Sequence, residues 1–114
     1  MSSPPLATDV RVQSPHAERQ FQASPQEVQG ALRRLAAVLR QDPQHGAFVV
    51  LRRVPRETRH RWERRVGRIA NLYKLDLPGA WRALYTVGSE GSLRVVLVLE
   101  IVSHAEYDRL LGYG

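Results

Sequence analysis

The fold is decided by three consecutive runs of sequence: NLYKLDLPGAWRALYTV (residues 71–87), LRVVLVLEIV (residues 93–102) and SHAEYDRLLGY (residues 103–113). In the first run, Tyr73, Leu75 and Leu77 are apolar at alternating positions, and Lys74 and Asp76 lie between them. Because successive side chains of a strand point to opposite faces, this alternation predicts a strand with one apolar face and one charged face.

Two further strands are predicted after this one. Pro78-Gly79 supplies a turn, and residues 81–87 form the next strand. The run 93–102 is almost continuously apolar, which is typical of a central strand covered on both faces, and residues 88–92 supply the hairpin loop before it. The sequence therefore predicts three antiparallel strands in meander order, in a sheet formed mainly by residues 71–102.

The N-terminal part is predicted to be an arm and a short strand. Residues 1–8 contain Ser-Ser-Pro-Pro and little to bury, so they are predicted to be a disordered arm. Residues 9–13 alternate valines with polar neighbours, which predicts a short first strand. With 114 residues, 43% of them hydrophobic, the chain can bury one modest core, so residues 9–114 are predicted to form a single domain.

Two helices are predicted next. Ser14-Pro15 and Ser24-Pro25 each place an N-cap residue before a proline, and Glu27 is spaced to complete a capping box with Ser24. The second helix carries an apolar stripe at helical spacing, and Asp42-Pro43 ends it. The stripe consists of Val28, Ala31, Leu32, Leu35, Val38 and Leu39. We expect both helices to pack on the sheet.

The segment between the helices and the sheet is less regular. Residues 48–51 (FVVL) are compatible with a strand or with an apolar loop, and residues 56–66 are predicted to form a helix with a charged face. The predicted order is therefore β-α-α, a basic segment, then β-β-β-α. Strands and helices that cluster in this way indicate an α+β fold with two N-terminal helices packed on a small antiparallel sheet.

Composition excludes several classes of protein. The chain contains no cysteine, which excludes disulfides, zinc-thiolate sites and thiol nucleophiles. It has no run of about 18 apolar residues, and no basic region at the N-terminus leads into an apolar stretch. We therefore expect neither a membrane span nor a secretory signal, and a cytoplasmic location.

The excess positive charge lies in one segment. The formal net charge is +6, and the 17 residues from 52 to 68 hold eight arginines against two glutamates. The remaining residues hold nine basic and nine acidic side chains, so the whole surplus belongs to this segment. The arginines are Arg52, Arg53, Arg56, Arg59, Arg61, Arg64, Arg65 and Arg68. Such a concentration predicts a face that binds a polyanion, and an RNA backbone is the expected ligand.

Cations and proton carriers accompany the predicted strands. Cleavage of RNA by its 2′-hydroxyl needs a base, positive charge at the phosphate oxygens and an acid for the leaving oxygen. Arg82 can hold two phosphate oxygens, and His104 belongs to the residue type most often used as a general acid or base. Tyr107 can donate a proton or stack on a base, and Lys74 is the one lysine of the chain. These four residues are the candidate catalytic set.

Each candidate also has a structural interpretation that the sequence leaves open. Arg82 can pair with Asp76 or Glu100, and Lys74 can pair with Asp76, which is itself an alternative general base. Tyr107 can pack the last helix, and His104 can simply follow an N-cap serine. Metal-ligand spacing is absent around the histidines, so neither a metal nor a cofactor is expected.

The order of these segments resembles that of a known family. The runs RVQSPHAERQFQASPQEVQGALRRLAAVLRQDP (residues 11–43), LYKLDLPGAWRALYTV (72–87) and VLEIVSHAEYDRLLGY (98–113) are similar to the RelE/ParE superfamily of toxins from toxin-antitoxin systems. The resemblance covers about residues 10–113. It is strongest to a RelE-like subgroup with a longer segment before the first sheet hairpin, where the arginines lie.

The resemblance implies a compact α+β fold like that of microbial ribonucleases. It also implies metal-independent cleavage of mRNA, commonly in the ribosomal A site, and neutralisation by a cognate antitoxin protein. Residue by residue, Lys74, Arg82, Tyr107 and His104 match basic, tyrosine and histidine positions of the family's site. Asp76 stands where well-studied members have a second lysine, and Ala105 stands near the place of another arginine.

Three functions follow from these residues and the resemblance. The first is an mRNA endoribonuclease that acts with the ribosome, inhibits translation and arrests growth. The second is a ParE-like inhibitor of DNA gyrase or of another protein target, without cleavage. The third is a noncatalytic RNA-binding domain, for which the two departures from the family pattern are the argument.

Overall fold

The structure is a computed structural model that describes residues 7–12 and 14–112. Four helices and five strands follow one another in those residues, with short 3₁₀ turns at Leu51–Arg53 and Pro78–Ala80. In chain order they are β1 (Thr8–Arg11), α1 (Pro15–Ala23), α2 (Gln26–Gln41), β2 (Ala47–Phe48), α3 (Arg56–Val66), β3 (Tyr73–Leu77), β4 (Trp81–Glu90), β5 (Leu93–Ser103) and α4 (His104–Leu111). The predicted α+β class is confirmed.

One five-stranded sheet has the order β1-β5-β4-β3-β2. Strands β3, β4 and β5 form the predicted antiparallel meander. β1, however, pairs with β5 in parallel, so the sheet is mixed rather than wholly antiparallel. β1 begins at Thr8, which the sequence had assigned to the arm, because Thr8 pairs with Arg94 on the edge of β5. Residues 1–6 of the predicted arm, and the last residues 113–114, lie outside the described residues.

Of the two predicted serine N-caps, Ser14 caps its helix and Ser24 does not. The Ser14 side chain accepts a hydrogen bond from the backbone N–H of Ala17, as an N-cap should. The capping box predicted for Ser24 and Glu27 is wrong. The Ser24 hydroxyl instead donates to the carbonyl of Phe21 at the end of α1, and α2 starts after Pro25 without a side-chain cap. The two helices meet so closely that Ser24 serves the first of them.

The sheet is covered on both faces. The first core lies beneath α1 and α2 and includes Tyr73, Leu75 and Leu77 of β3. The second lies beneath α3 and α4, where Trp62 is fully buried against Leu84. Lys74, on the face of β3 that the sequence predicted to be charged, pairs with Leu84 of this second core, so that face of the sheet is largely apolar too.

Glu100 joins α1, β5 and α3 in a buried network. Its side chain is 4% exposed. Its Oε1 accepts from the Trp62 indole at 3.0 Å and from the Arg65 guanidinium at 3.3 Å. Its Oε2 accepts from the Gln20 amide at 2.7 Å and lies 2.9 Å from His16 Nε2. This carboxylate fixes the basic helix α3 to the sheet.

A close approach of backbones requires glycine before β2. The N–H of Gly46 donates to the Tyr85 hydroxyl at 2.9 Å, and burial raises the pKa of that hydroxyl. A Cβ at position 46 would lie 2.6 Å from the carbonyl oxygen of Lys74 and 2.8 Å from the Tyr85 hydroxyl. No real side chain tolerates such distances, so the strands would have to separate.

We predict that Gly46→Ala lowers the free energy of unfolding by about 1–3 kcal/mol, the usual cost of overpacking. Urea denaturation followed by circular dichroism measures this. Gly88→Ala is the matched control, because a Cβ there meets nothing within 4 Å. Equal stability of the two variants would contradict the close approach.

No helix of the described residues is long and apolar enough to cross a membrane.

Candidate nucleic-acid interface

A groove lies where β3 and β4 emerge from beneath α4, next to the segment that follows β2. Its volume is about 280 Å³. It is lined by Phe48, Val49, Val50, Arg53, Lys74, Arg82 and Tyr107. Two of the three cations belong to the predicted catalytic set, and Arg53 was predicted only as an RNA-binding residue. Three positive side chains around one groove favour a phosphate ligand.

Arg82 is held by two neighbours. It lies directly opposite Asp76 in the β3–β4 pairing, and its Nε is 3.5 Å from Asp76 Oδ1. Its guanidinium carbon lies 4.5 Å from the centroid of the Tyr107 ring, which is a cation–π contact. The Asp76 side chain is 76% exposed, and exposed ion pairs of this kind contribute little. A phosphate can therefore replace Asp76 as the partner of Arg82.

Lys74 shares the groove with Arg82. Its Nζ lies 5.9 Å from the centroid of the Tyr107 ring, on the same face of the sheet. Among the ion pairs of the described residues, Asp76 pairs with Arg82 and not with Lys74, so the predicted alternative of a Lys74–Asp76 bridge is wrong. The other alternative for Arg82, a pair with Glu100, is also wrong, because Glu100 binds Arg65 and His16.

Tyr107 forms the floor of the groove. It is 3% exposed and belongs to the second core, so it packs the last helix as one interpretation predicted. It also contacts both strand cations through its ring. The Tyr107 ring therefore has two roles. It packs in the second core, and it contacts the guanidinium of Arg82.

His104 lies at the start of α4, outside the lining of the groove. Ser103 caps this helix by accepting from the backbone N–H of Glu106. The imidazole is 49% exposed, and its Nε2 is 3.3 Å from Asp108 Oδ2. Because Arg82 pairs with Val102, His104 leaves the sheet at the same end as Arg82.

Residues 56–66 of the arginine-rich segment form the helix α3, as the sequence predicted. The segment also includes residues on both sides of this helix. Two of its arginines serve the fold. Arg65 binds Glu100, and Arg59 donates to the carbonyl of Ile69 at 3.3 Å and faces Glu63 at 3.6 Å. The others are exposed: Arg52, Arg53, Arg56, Arg61, Arg64 and Arg68.

Sequence reasoning missed the residues that anchor this helix. One of them is His16, which contacts Glu100 across 84 positions of the chain. Trp62, which lies among the arginines in the sequence, is fully buried and donates to Glu100. A lone glutamate in an otherwise apolar strand was the available signal, because a buried carboxylate requires partners.

The described residues contain no group of three His, Asp or Glu side chains placed to hold a metal ion. The groove itself places the positive charges of Arg53, Lys74 and Arg82 around the ring of Tyr107. Such an arrangement can bind a phosphodiester and stabilise negative charge that develops on its oxygens.

Comparison with solved structures decides the fold. The chain is similar to the structure of a mutant of the E. coli toxin RelE in the free state, with 16% sequence identity and a TM-score of 0.55. The match covers 96% of this chain and 94% of that one. The chain has a RelE-like fold. No protein-family model and no curated protein matches the sequence.

Within this RelE-like fold, Tyr107 provides a test of how the groove is built. Tyr107→Phe keeps the ring beneath Arg82, whereas Tyr107→Leu removes the cation–π contact, which contributes about 0.5–2 kcal/mol. We predict that Tyr107→Leu weakens RNA binding in the groove by roughly tenfold and that Tyr107→Phe weakens it less. Fluorescence anisotropy with a short labelled RNA measures this. Equal losses in both variants would assign the effect to the hydroxyl instead.

Proposed function

We propose that the chain is a RelE-like toxin that cleaves mRNA, with the groove of Lys74, Arg82 and Tyr107 as its site. The observation that carries this proposal is the placement of two strand cations and Arg53 around one aromatic floor. The RelE-like fold supports this proposal, because the solved structure that the chain resembles is that of a toxin.

The proposed reaction is attack of a 2′-hydroxyl on the adjacent phosphorus. A bond forms between the 2′ oxygen and phosphorus, and the bond from phosphorus to the 5′ oxygen breaks. Arg82 binds the two nonbridging oxygens through its planar fork, displacing the weakly held Asp76. Lys74 and Arg53 add charge beside it. This is electrostatic stabilisation of the pentacoordinate phosphate by groups that are already in place.

Two groups are proposed to transfer protons: the Asp76 carboxylate, displaced from Arg82 by the phosphate, accepts the proton of the attacking 2′-hydroxyl, and His104 donates the proton to the leaving group. The leaving 5′ oxygen requires a proton, and a histidine supplies one at neutral pH. His104 is half-exposed at the end of the sheet where Arg82 lies, and Asp108 can orient its ring. Tyr107 is proposed to position Arg82 through its ring.

The proposed partners follow from the charge. The exposed arginines of α3 and of the turn before it would bind mRNA and ribosomal RNA, and a cognate antitoxin would silence the toxin. The proposed place of action is the cytoplasm. No metal or cofactor is proposed for the reaction, so cleavage should persist in EDTA where ribosomes are not required.

The test is induction of the protein in bacterial cells, followed by primer extension on mRNA and a gyrase supercoiling assay. The proposal expects growth arrest, new 5′ ends in mRNA and normal supercoiling. Growth arrest with intact mRNA and blocked supercoiling would establish the ParE-like alternative instead. RNA binding without cleavage or arrest would establish a noncatalytic RNA-binding domain.

A further inference from the structure

The 3₁₀ turn Leu51–Arg53 contributes residues to two cationic depressions. Arg53 lines the groove described above, and its neighbour Arg52 lines a second depression of about 300 Å³ together with Arg56, Arg59 and His60. Adjacent residues of one turn therefore place an arginine in each depression. A charged chain that crosses the turn can contact both arginines.

The second depression continues into a third. His60 lines both, and the third depression also contains Arg61, Arg64 and Glu57. We name the surface formed by Arg52, Arg56, His60, Arg61 and Arg64 the arginine track. Glu63 also lines the second depression, but it is engaged with Arg59 and accepts from the N–H of Ile69. The track thus retains a surplus of positive charge along its whole length.

The chemistry of the track suits a nucleic-acid backbone better than a protein partner. A protein interface has an apolar centre, usually with aromatic residues. The large hydrophobic side chains that are exposed among the described residues are Val38 and Phe48, and neither lies on α3. Exposed arginines without an apolar centre are typical of phosphate contacts.

We propose that the arginine track binds the single strand that leaves the groove, so that groove and track form one continuous RNA path across the turn Leu51–Arg53. This inference rests on the proposed function for the identity of the groove's ligand. It adds that α3 binds nucleotides beyond the cleaved one, and that Arg59 and Arg65 take no part because they hold the helix in place.

The test compares two triple variants of equal charge change. Arg56→Gln/Arg61→Gln/Arg64→Gln alters the track. Arg19→Gln/Arg34→Gln/Arg40→Gln is the matched control, with three exposed arginines of α1 and α2. The probes are 2′-O-methyl RNA strands of three and of twelve nucleotides, which cannot be cleaved by their own 2′-hydroxyls, and poly-L-glutamate. Affinity is measured by anisotropy as a function of salt concentration.

The track variant should bind the twelve-nucleotide strand roughly tenfold more weakly or worse, with a salt slope reduced by about two units, since each single-strand phosphate contact contributes about 0.7. Binding of the three-nucleotide strand should not change, and neither should the slope of the control variant. Equal losses in both variants, or equal losses for both RNA lengths, would overturn the proposal. Weaker binding of poly-L-glutamate alone would assign the face to an acidic protein.

The two proposals fail separately in this design. The 2′-O-methyl strands report binding whether or not the protein cleaves RNA. The salt slope of the track variant can be reduced although the wild type does not cut mRNA. That result would support RNA binding by the arginine track and contradict the endoribonuclease activity. If the wild type cuts mRNA but the salt slope of the track variant is unchanged, only the proposal about the arginine track is contradicted.

Discussion

Glu100→Gln is expected to lower the free energy of unfolding by about 3 kcal/mol, the low end of the cost of breaking a buried ion pair, because Arg65 retains some solvent contact. Each carboxylate oxygen of Glu100 faces two partners. A glutamine must turn its NH₂ group toward one of these pairs, where donor would face donor. Gln20 cannot rotate to compensate, since its Oε1 accepts from the N–H of Ile101 at 2.9 Å.

Urea denaturation followed by circular dichroism tests this expectation. Glu90→Gln is the matched control, because Glu90 is a strand glutamate whose side chain is 69% exposed and binds Arg11 at the surface. The free energy of unfolding of Glu90→Gln should fall by no more than about 1 kcal/mol. A stable Glu100→Gln variant, or equal losses in the two variants, would contradict the role of Glu100 as the joint between α1, β5 and α3.

Arg82→Ala is expected to reduce the rate of RNA cleavage by about 10²–10³-fold, the usual effect of removing one preorganised donor to a developing oxyanion. Arg82→Lys keeps the charge and loses the planar fork, so its activity should lie between those of alanine and wild type. Single-turnover cleavage of mRNA in a translation extract measures both rates.

Arg94→Ala is the control for Arg82→Ala, because Arg94 belongs to β5 and lines a depression formed with the end of α2. Its cleavage rate should equal that of the wild type. Circular dichroism of Arg82→Ala should show a folded protein, since Arg82 contributes to the fold through one ion pair with the exposed Asp76 and one cation–π contact with Tyr107. Wild-type cleavage by a folded Arg82→Ala would remove Arg82 from the site.

Local patterns in the sequence predicted the elements that local chemistry determines. Ser14 caps α1, residues 56–66 form α3, and the alternation from Tyr73 to Leu77 matches burial in β3. In each case the interactions that decide the structure lie within a few residues of one another. The order of the elements predicted the α+β class, and the resemblance to the RelE/ParE superfamily implied the RelE-like fold.

Contacts between distant parts of the chain were not predictable from such patterns. The partners of Glu100 lie 35 to 84 positions away from it, and the parallel pairing of β1 with β5 joins opposite ends of the chain. Ser24 lies between two helices, and its hydroxyl bonds to the end of α1 and does not cap α2. Arg53 enters the groove because the turn at Leu51–Arg53 faces β3 and β4.

The nature of the cut ends tests the central claim most directly. Attack by the 2′-hydroxyl leaves a 2′,3′-cyclic phosphate and a 5′-hydroxyl, which polynucleotide kinase labels without prior phosphatase treatment. We expect these ends in mRNA cut by the wild-type protein, and no cut where a single 2′-deoxynucleotide replaces the attacking residue. Cuts that leave 5′-phosphate ends, or that persist at the 2′-deoxy position, would contradict it.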